Sequence, residues 1–224
     1  MIELKELCKT FVLGDQTVRA LDRVSLTINN GDYVSIMGPS GSGKSTLLNM
    51  LGLLDRPDAG EYSLDGIKTS QLPEEERALL RRNYIGFVFQ SFHLIPRLNT
   101  QENIELPMVL AGIDSKERRK KSHEVMERLG LLNRADHLAT QLSGGQRQRV
   151  AIGRALVMQP KLLLADEPTG NLDSQSGADV INLLEELNKT GITLAVVTHD
   201  SQLGARARRK VRMVDGRVAD DSSL

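Results

Sequence analysis

The segment Gly38-Pro39-Ser40-Gly41-Ser42-Gly43-Lys44-Ser45-Thr46 fits the spacing G-x-x-x-x-G-K-[ST]. Glycines at these positions let a backbone turn tightly enough that successive N–H groups point inward at phosphate oxygens. The apolar run Asp32–Met37 before it reads as a strand, and a helix is expected to begin near Lys44. The positive end of that helix then faces the same phosphates. In this frame Lys44 is placed for the β- and γ-phosphates of a nucleotide such as ATP, and Ser45 for Mg²⁺.

Two further segments carry chemistry. Leu162-Leu163-Leu164-Ala165-Asp166-Glu167 is a buried-strand pattern that ends in adjacent carboxylates. Beside a phosphate cradle, Asp166 suits Mg²⁺ held through water, and Glu167 suits a base that polarises an attacking water. Leu142-Ser143-Gly144-Gly145-Gln146 opens a helix and offers a second set of phosphate donors, the Ser143 hydroxyl and the N–H groups of Gly144 and Gly145. On its residues alone that segment also reads as an ordinary helix N-cap followed by flexible glycines. His199 follows the run Thr193–Val197 and precedes Asp200; alone, a histidine at a strand end reads as structural, and in a sheet that carries the phosphate loop it suits a γ-phosphate sensor.

The elements that must hold these groups follow from periodicity. Val24–Ile28, Asp32–Met37, Glu61–Leu64, Ile85–Phe89, Leu162–Ala165 and Thr193–Val197 read as strands. Leu47, Leu48, Leu51 and Leu54 make an apolar helical face after the glycine-rich loop. Ser91 to Met158 reads as helical, with a helix capped by Ser115 and stopped at Gly130, and another over Val150–Met158 ended by Pro160. A further helix is expected from about Ser174 to Asn188. Nearly all-apolar strands alternating with helices indicate a mostly parallel sheet covered on both faces. The expected fold is therefore α/β: a core from residues 1–90 and 159–224, with an inserted α-helical subdomain over 91–158. The charged runs Lys116–Lys121 and Arg206–Lys210 read as solvated helix surface, with a lipid or partner contact as the alternative. The polar tail Asp220–Leu224 is expected to fray.

Composition narrows the function. The 224 residues carry 29 Lys plus Arg against 29 Asp plus Glu, a zero balance that disfavours a dedicated nucleic-acid binder. There is no Trp and few other aromatics, so base-stacking platforms are not expected. The single cysteine, Cys8, cannot form an intrachain disulfide, which suits a reducing compartment, and it reads as a modest strand residue. No run approaches the ~20 apolar residues of a membrane span, and the N-terminus with Glu3 and Glu6 lacks a signal-peptide pattern. Any membrane contact is thus expected through a partner.

Taken together, the motifs resemble the nucleotide-binding subunit of ABC transporters over essentially the whole chain. Leu142–Gln146 matches the family's LSGGQ signature, and Ser143 precedes Asp166 by the family's spacing, 166 − 143 = 23 positions. The resemblance implies a P-loop NTPase core with an N-terminal antiparallel β region. It also implies that the signature of one subunit completes the ATP site of the other in a homodimer. Further roles come by resemblance alone: Gln90 as the Q-loop glutamine that touches Mg²⁺, Asn171-Leu172-Asp173 as the D-loop across the dimer interface, and His199 as the switch histidine. Phe11 stands where the family places an aromatic ring, usually tyrosine, against adenine; plain core is the competing reading for it.

Gly52-Leu53-Leu54-Asp55-Arg56-Pro57, Phe87–Pro96, Glu105-Leu106-Pro107-Met108 and Ala165–Asp173 resemble the branch that includes LolD, MacB and YbbA. This branch implies an ATPase on the cytoplasmic side of the inner membrane. It would power a separate membrane-spanning permease, with a periplasmic adaptor, in lipoprotein release or in peptide or drug export. A cell-division ATPase like FtsE shares the ATP motifs, but its signature usually ends in Glu where this chain has Gln146. DNA-repair members carry coiled coils or zinc modules, and this chain has neither heptads nor cysteine pairs. Ser91–Met108, rich in Phe92, Leu94, Ile95 and Leu98 and broken by Pro96, is expected to contribute to a docking groove for the permease. The alternative is that these side chains fold into the local core.

Overall fold

The computed structural model describes residues 1–223. Ten strands are present in it: β1 (Ile2–Leu13), β2 (Gln16–Ile28), β3 (Tyr33–Met37), β4 (Ala59–Leu64), β5 (Ile67–Lys68), β6 (Ile85–Phe89), β7 (Leu162–Asp166), β8 (Thr193–Val197), β9 (Arg209–Val214) and β10 (Arg217–Ser223). They form two sheets. One is antiparallel, in the order β2-β1-β4-β5; the other runs β10-β9-β3-β8-β7-β6 and is parallel except at β10.

The central strands show why this sheet must be covered on both sides. β7 and β8 are almost wholly buried. Leu162 and Leu164 enter one core, with β1, β2, β4 and the helix α1 (Lys44–Leu51). Leu163 and Ala165 enter the other, on the opposite face, as the two-residue period of a strand requires. That second core is closed by α3 (Thr100–Leu110), α4 (Ser115–Arg128), α5 (Gly144–Leu156), α6 (Ser174–Lys189) and α7 (Ser201–Arg206). The antiparallel sheet therefore covers one face of the parallel sheet and the helices cover the other.

Several sequence expectations need correction. α1 ends at Leu51, so Leu54 is not part of its apolar face and is exposed. The α4 cap is Asp114, whose carboxylate accepts from Lys116 N and Glu117 N; Ser115 is the first helical residue. Ser91–Asn99 contains no helix; α5 runs from Gly144 to Leu156, so the helix opened by Leu142–Gln146, as expected, and the piece expected over Val150–Met158 are one element. Arg206–Lys210 is not one helical surface, because Arg206 ends α7 while Arg209 and Lys210 lie on β9. Nor does the tail fray as far as Ser223: β10 pairs with β9, and Asp221 receives two hydrogen bonds from Arg209, of 2.7 and 2.6 Å. Leu224 lies outside the described residues. An additional helix, α2 (Glu74–Tyr84), lies between β5 and β6. Among the described residues no helix is long and apolar enough to cross a membrane.

Candidate functional site

β3 leads directly into the glycine-rich loop. Gly38 has φ 154°, and a Cβ there would stand 2.2 Å from the carbonyl oxygen of Met213 on β9. Gly43 has φ 97° and caps α1; a Cβ there would stand 2.3 Å from the carbonyl oxygen of Ala20 on β2. Only glycine lets the loop lie this close to both strands. α1 has no side-chain cap, so its first N–H groups remain available to an anion. Lys44 Nζ donates to the carbonyls of Gly38 (2.9 Å) and Pro39 (2.8 Å). Its ammonium is thus folded over its own loop on neutral partners, and a phosphate offers it a stronger, charged one.

The loop forms one wall of a cleft of about 430 Å³. Gly38, Ser40, Gly41, Gly43, Lys44, Ser45 and Thr46 line it, together with Asp166, Glu167 and His199. The parallel sheet explains the meeting: β3, β7 and β8 are neighbours, and the loop, the carboxylates and His199 all sit at their C-terminal ends. Pro39 and Ser42 belong to the loop but do not line the cleft, and Ser42 is buried.

Asp166 is half-buried. Burial first, and then the Glu167 charge, raise its pKa above the ordinary aspartate value, against a smaller opposing effect of Lys44. A cation beside Asp166 would reverse that pressure. Glu167 has φ 45°, a left-handed conformation uncommon for a side chain of its kind. Its Oε1 accepts from the backbone N–H of His199 (2.9 Å) and lies 2.7 Å from His199 Nδ1. Its Oε2 accepts from the Thr198 hydroxyl (3.1 Å). Both oxygens are therefore engaged, and the carboxylate is aimed along the edge of the cleft. Ser45 and Asp166 supply a hydroxyl and a carboxylate on the same cleft. This hard-oxygen pair fits Mg²⁺, which is normally held by one or two protein oxygens plus phosphates and water.

The other expected residues lie elsewhere. Gln90 is not on the cleft: its Nε2 approaches Asn171 Oδ1 at 3.5 Å, and its carbonyl accepts from Asn171 Nδ2 at 3.1 Å. Asp173 caps α6, accepting from Ser176 N at 3.0 Å, and lines a different cleft with Asp200. Hydrogen bonds from Ser176 lower its pKa. Ser143, Gly145 and Gln146 line a third cleft with Arg149 and Ser176. There Ser143 Oγ accepts from Gln146 N, and Gln146 Oε1 accepts from Ser143 N, a capping box that leaves the Ser143 hydroxyl proton free to donate. Phe11 is 39% exposed on β1, with Lys9 Nζ 5.4 Å from its ring centre. Phe11 is not on the cleft, but its register partner Val18 is, as is Ala20. These two β2 residues escaped the sequence reading. Their only signal is the strand pairing itself, which brings β2 against the loop. Thr198 escaped it too, and nothing in its neighbourhood in the sequence marks it.

Comparison with known proteins decides the family. The family model described as "ABC transporter" matches residues 21–170. The chain belongs to the ABC transporter family. It is 50% identical over 221 residues to the macrolide export ATP-binding/permease protein MacB of Burkholderia pseudomallei, a match covering 99% of this chain and 34% of that protein. It is 47% identical over 223 residues to the uncharacterized ABC transporter ATP-binding protein YknY of Bacillus subtilis, covering 100% of this chain and 97% of that one. This ABC chain thus spans about a third of the MacB proteins it matches and nearly all of YknY. Among solved structures, the ATP-binding cassette MJ0796, in a dimeric post-hydrolysis state bound to ADP and Pi, superposes with TM-score 0.91. It is 46% identical, and the match covers 100% of this chain and 99% of that one. The fold is therefore that of an ABC ATPase cassette, with the P-loop NTPase architecture, and the chain is an ATP-binding ATPase.

Proposed function

We propose that two copies of this chain enclose two ATP molecules between them and that their closure powers a separate membrane permease. The observation that carries the reading is the separation within one chain: the phosphate loop and the Ser143–Gln146 turn line different clefts. Each has free N–H donors, and neither alone surrounds a triphosphate. A second copy brings its signature turn to the first copy's loop. The dimeric state of the MJ0796 cassette supports this arrangement.

In that site the loop amides, the α1 N-terminus and Lys44 bind the phosphates, and Ser143 of the opposite copy donates its hydroxyl to the γ-phosphate. Phe11 and Val18 offer apolar surface to the base. Ser45 and Asp166 would hold Mg²⁺, joined by Gln90 once it leaves Asn171. Bound there, Mg²⁺ would neutralise the charge that grows on the phosphate oxygens as ADP leaves. Glu167 accepts the proton of the attacking water. To do so it must loosen the contacts that His199 and Thr198 now make, and a γ-phosphate beside His199 is the group placed to draw that histidine away. Asp173 lies at the proposed dimer seam.

The permease would dock on residues 91–158, which we read as the helical subdomain. A cleft of about 680 Å³ lies there between α3 and α4, lined by Leu98, Glu102, Leu106, Val109, Arg118 and Arg119. Leu94, in contrast, packs against the second core, so Leu98 is the better docking candidate. The 50% identity with a third of MacB, a macrolide export ATP-binding/permease protein, supports an exporter-type permease as the partner; a lipoprotein-release partner and a periplasmic adaptor rest on the branch motifs alone.

A mixing experiment tests the composite site. Lys44→Ala and Ser143→Arg chains should each be inactive. Mixed in equal amounts they should regain about a quarter of wild-type turnover, because half of random pairs are mixed and each mixed pair has one complete site of two. No recovery on mixing, with both variants folded, contradicts the reading.

A further inference from the structure

Arg154 lies near the C-terminal end of α5, the helix whose first turn carries Ser143–Gln146. It makes no ion pair among the described residues. Its guanidinium instead reaches out of α5 to two consecutive carbonyls of the loop after β6: Nη2 donates to Phe92 O at 2.9 Å and Nη1 to His93 O at 2.5 Å. Burial, with no carboxylate to offset it, lowers its pKa below the ordinary arginine value.

Phe92 and His93 are both left-handed, with φ 58° and 49°. Two such residues in succession, neither of them glycine, persist only where something holds them. Arg154 holds their carbonyls. Arg147, two turns earlier on the same helix, lays its guanidinium 5.1 Å from the Phe92 ring centre. The turn begins one residue after Gln90, whose own carbonyl is fixed by Asn171 at 3.1 Å. The same helix also reaches the loop beyond Glu167, through Gln148 Nε2 donating to Pro168 O at 2.7 Å. α5 is therefore fastened to the loops that follow β6 and β7.

We propose that Arg154 is a positioning residue of the ATPase: by bridging the Phe92 and His93 carbonyls it holds the strained turn that fixes where Gln90 can stand relative to Mg–ATP. The inference rests on the role proposed above for Gln90. It also links α5 to Gln90 through that turn, so that movement of the signature turn and engagement of the metal are mechanically joined.

The test compares Arg154→Met with wild type in three measurements on the whole chain: melting temperature, binding of a fluorescent ATP analogue in EDTA and in Mg²⁺, and steady-state turnover. Binding in EDTA should be unchanged within about two-fold, since Arg154 is remote from the phosphate loop. The tightening produced by Mg²⁺ should shrink roughly ten-fold, the scale of losing an outer partner of a metal ligand. Turnover should fall roughly 10- to 100-fold. Arg154→Lys, which serves one carbonyl where arginine serves two, should lie between. The decisive variant is Arg154→Met with His93→Gly: glycine accepts φ 49° without strain, so much of the Mg²⁺ response should return. Should Arg154→Met fail to fold, Arg154→Lys with and without His93→Gly carries the same comparison. A wild-type Mg²⁺ response in the arginine variants, or a loss that His93→Gly does not relieve, overturns the proposal. Gln90→Ala run alongside separates the two layers. If it leaves the Mg²⁺ response intact, the reading of Gln90 fails first; if it abolishes the response while Arg154→Met does not, only the arginine inference fails.

Discussion

At the residue scale, three groups of the proposed site are each held by a neighbour in the protein. Lys44 rests on Gly38 and Pro39 carbonyls, Glu167 on His199 and Thr198, and Gln90 on Asn171. ATP must replace these contacts, and the lysine gives the clearest case. Among the described residues lining the phosphate-loop cleft, Lys44 is the only lysine or arginine, and Lys44→Ala removes it. Nucleotide should bind on the order of 10- to 100-fold more weakly, as for loss of a charge-assisted hydrogen bond, and turnover should fall with it; titration with a fluorescent nucleotide checks this. Asp166 has the opposite problem, a carboxylate whose pKa is raised mainly by burial. A raised pKa means that the folded state disfavours the ionised form. Stability from this group is complete below the ordinary aspartate pKa and is lost as pH rises through the folded value. Asp166→Asn should therefore melt higher than wild type at pH 7 without Mg²⁺ or nucleotide, and the advantage should vanish at pH 3–4. A wild type that is the more stable at pH 7 contradicts it. Residue types and spacing in the sequence disclosed the phosphate loop, Asp166, Glu167 and His199, because local chemistry constrains each of them. Val18, Ala20 and Thr198 could not be found that way: Val18 and Ala20 reach the cleft only through strand pairing, and Thr198, buried behind it, meets Glu167 only through its side-chain direction.

At the scale of elements, legibility followed apolar pattern. β7 and β8 are continuous apolar runs and were readable as buried strands; β9 was not, because Arg209, Lys210 and Arg212 mask the alternation of Val211 and Met213 that buries it. α2 was invisible for a related reason. Its residues are mostly charged, and the one it buries is Arg77, whose Nη2 donates to the Leu53 and Asp55 carbonyls at 3.1 and 2.5 Å. No apolar periodicity exists there to be seen. The burial of β7 has a direct energetic consequence. Leu163 is fully buried in the helical-side core, so Leu163→Ala should lower unfolding stability by about 2–5 kcal/mol, transfer and cavity together. Denaturant titration reads this value. A loss below about 1 kcal/mol would mean that the helices over β7 close the gap, and that the two-sided core is softer than its burial implies.

At the scale of the molecule, the arrangement of clefts means that, on the proposed reading, one copy holds only part of each ATP site. The phosphate loop and the Ser143 turn belong to different clefts, while α5 ties the turn to both catalytic loops. The proposed docking cleft lies between α3 and α4, both of which pack against α5. Leu98→Glu should leave ATP binding by the isolated chain intact while abolishing co-purification of the membrane permease; an intact complex contradicts that placement. The central claim is that ATP itself joins two copies, and Glu167→Gln tests it most directly. Glutamine keeps the size and an acceptor oxygen for His199 but removes the charge that takes the water's proton. Hydrolysis should slow by roughly 10²-fold or more, so that bound ATP persists. On size-exclusion chromatography this variant should run as a dimer with Mg–ATP and as a monomer without nucleotide. A monomer in saturating Mg–ATP, together with wild-type turnover, contradicts the account.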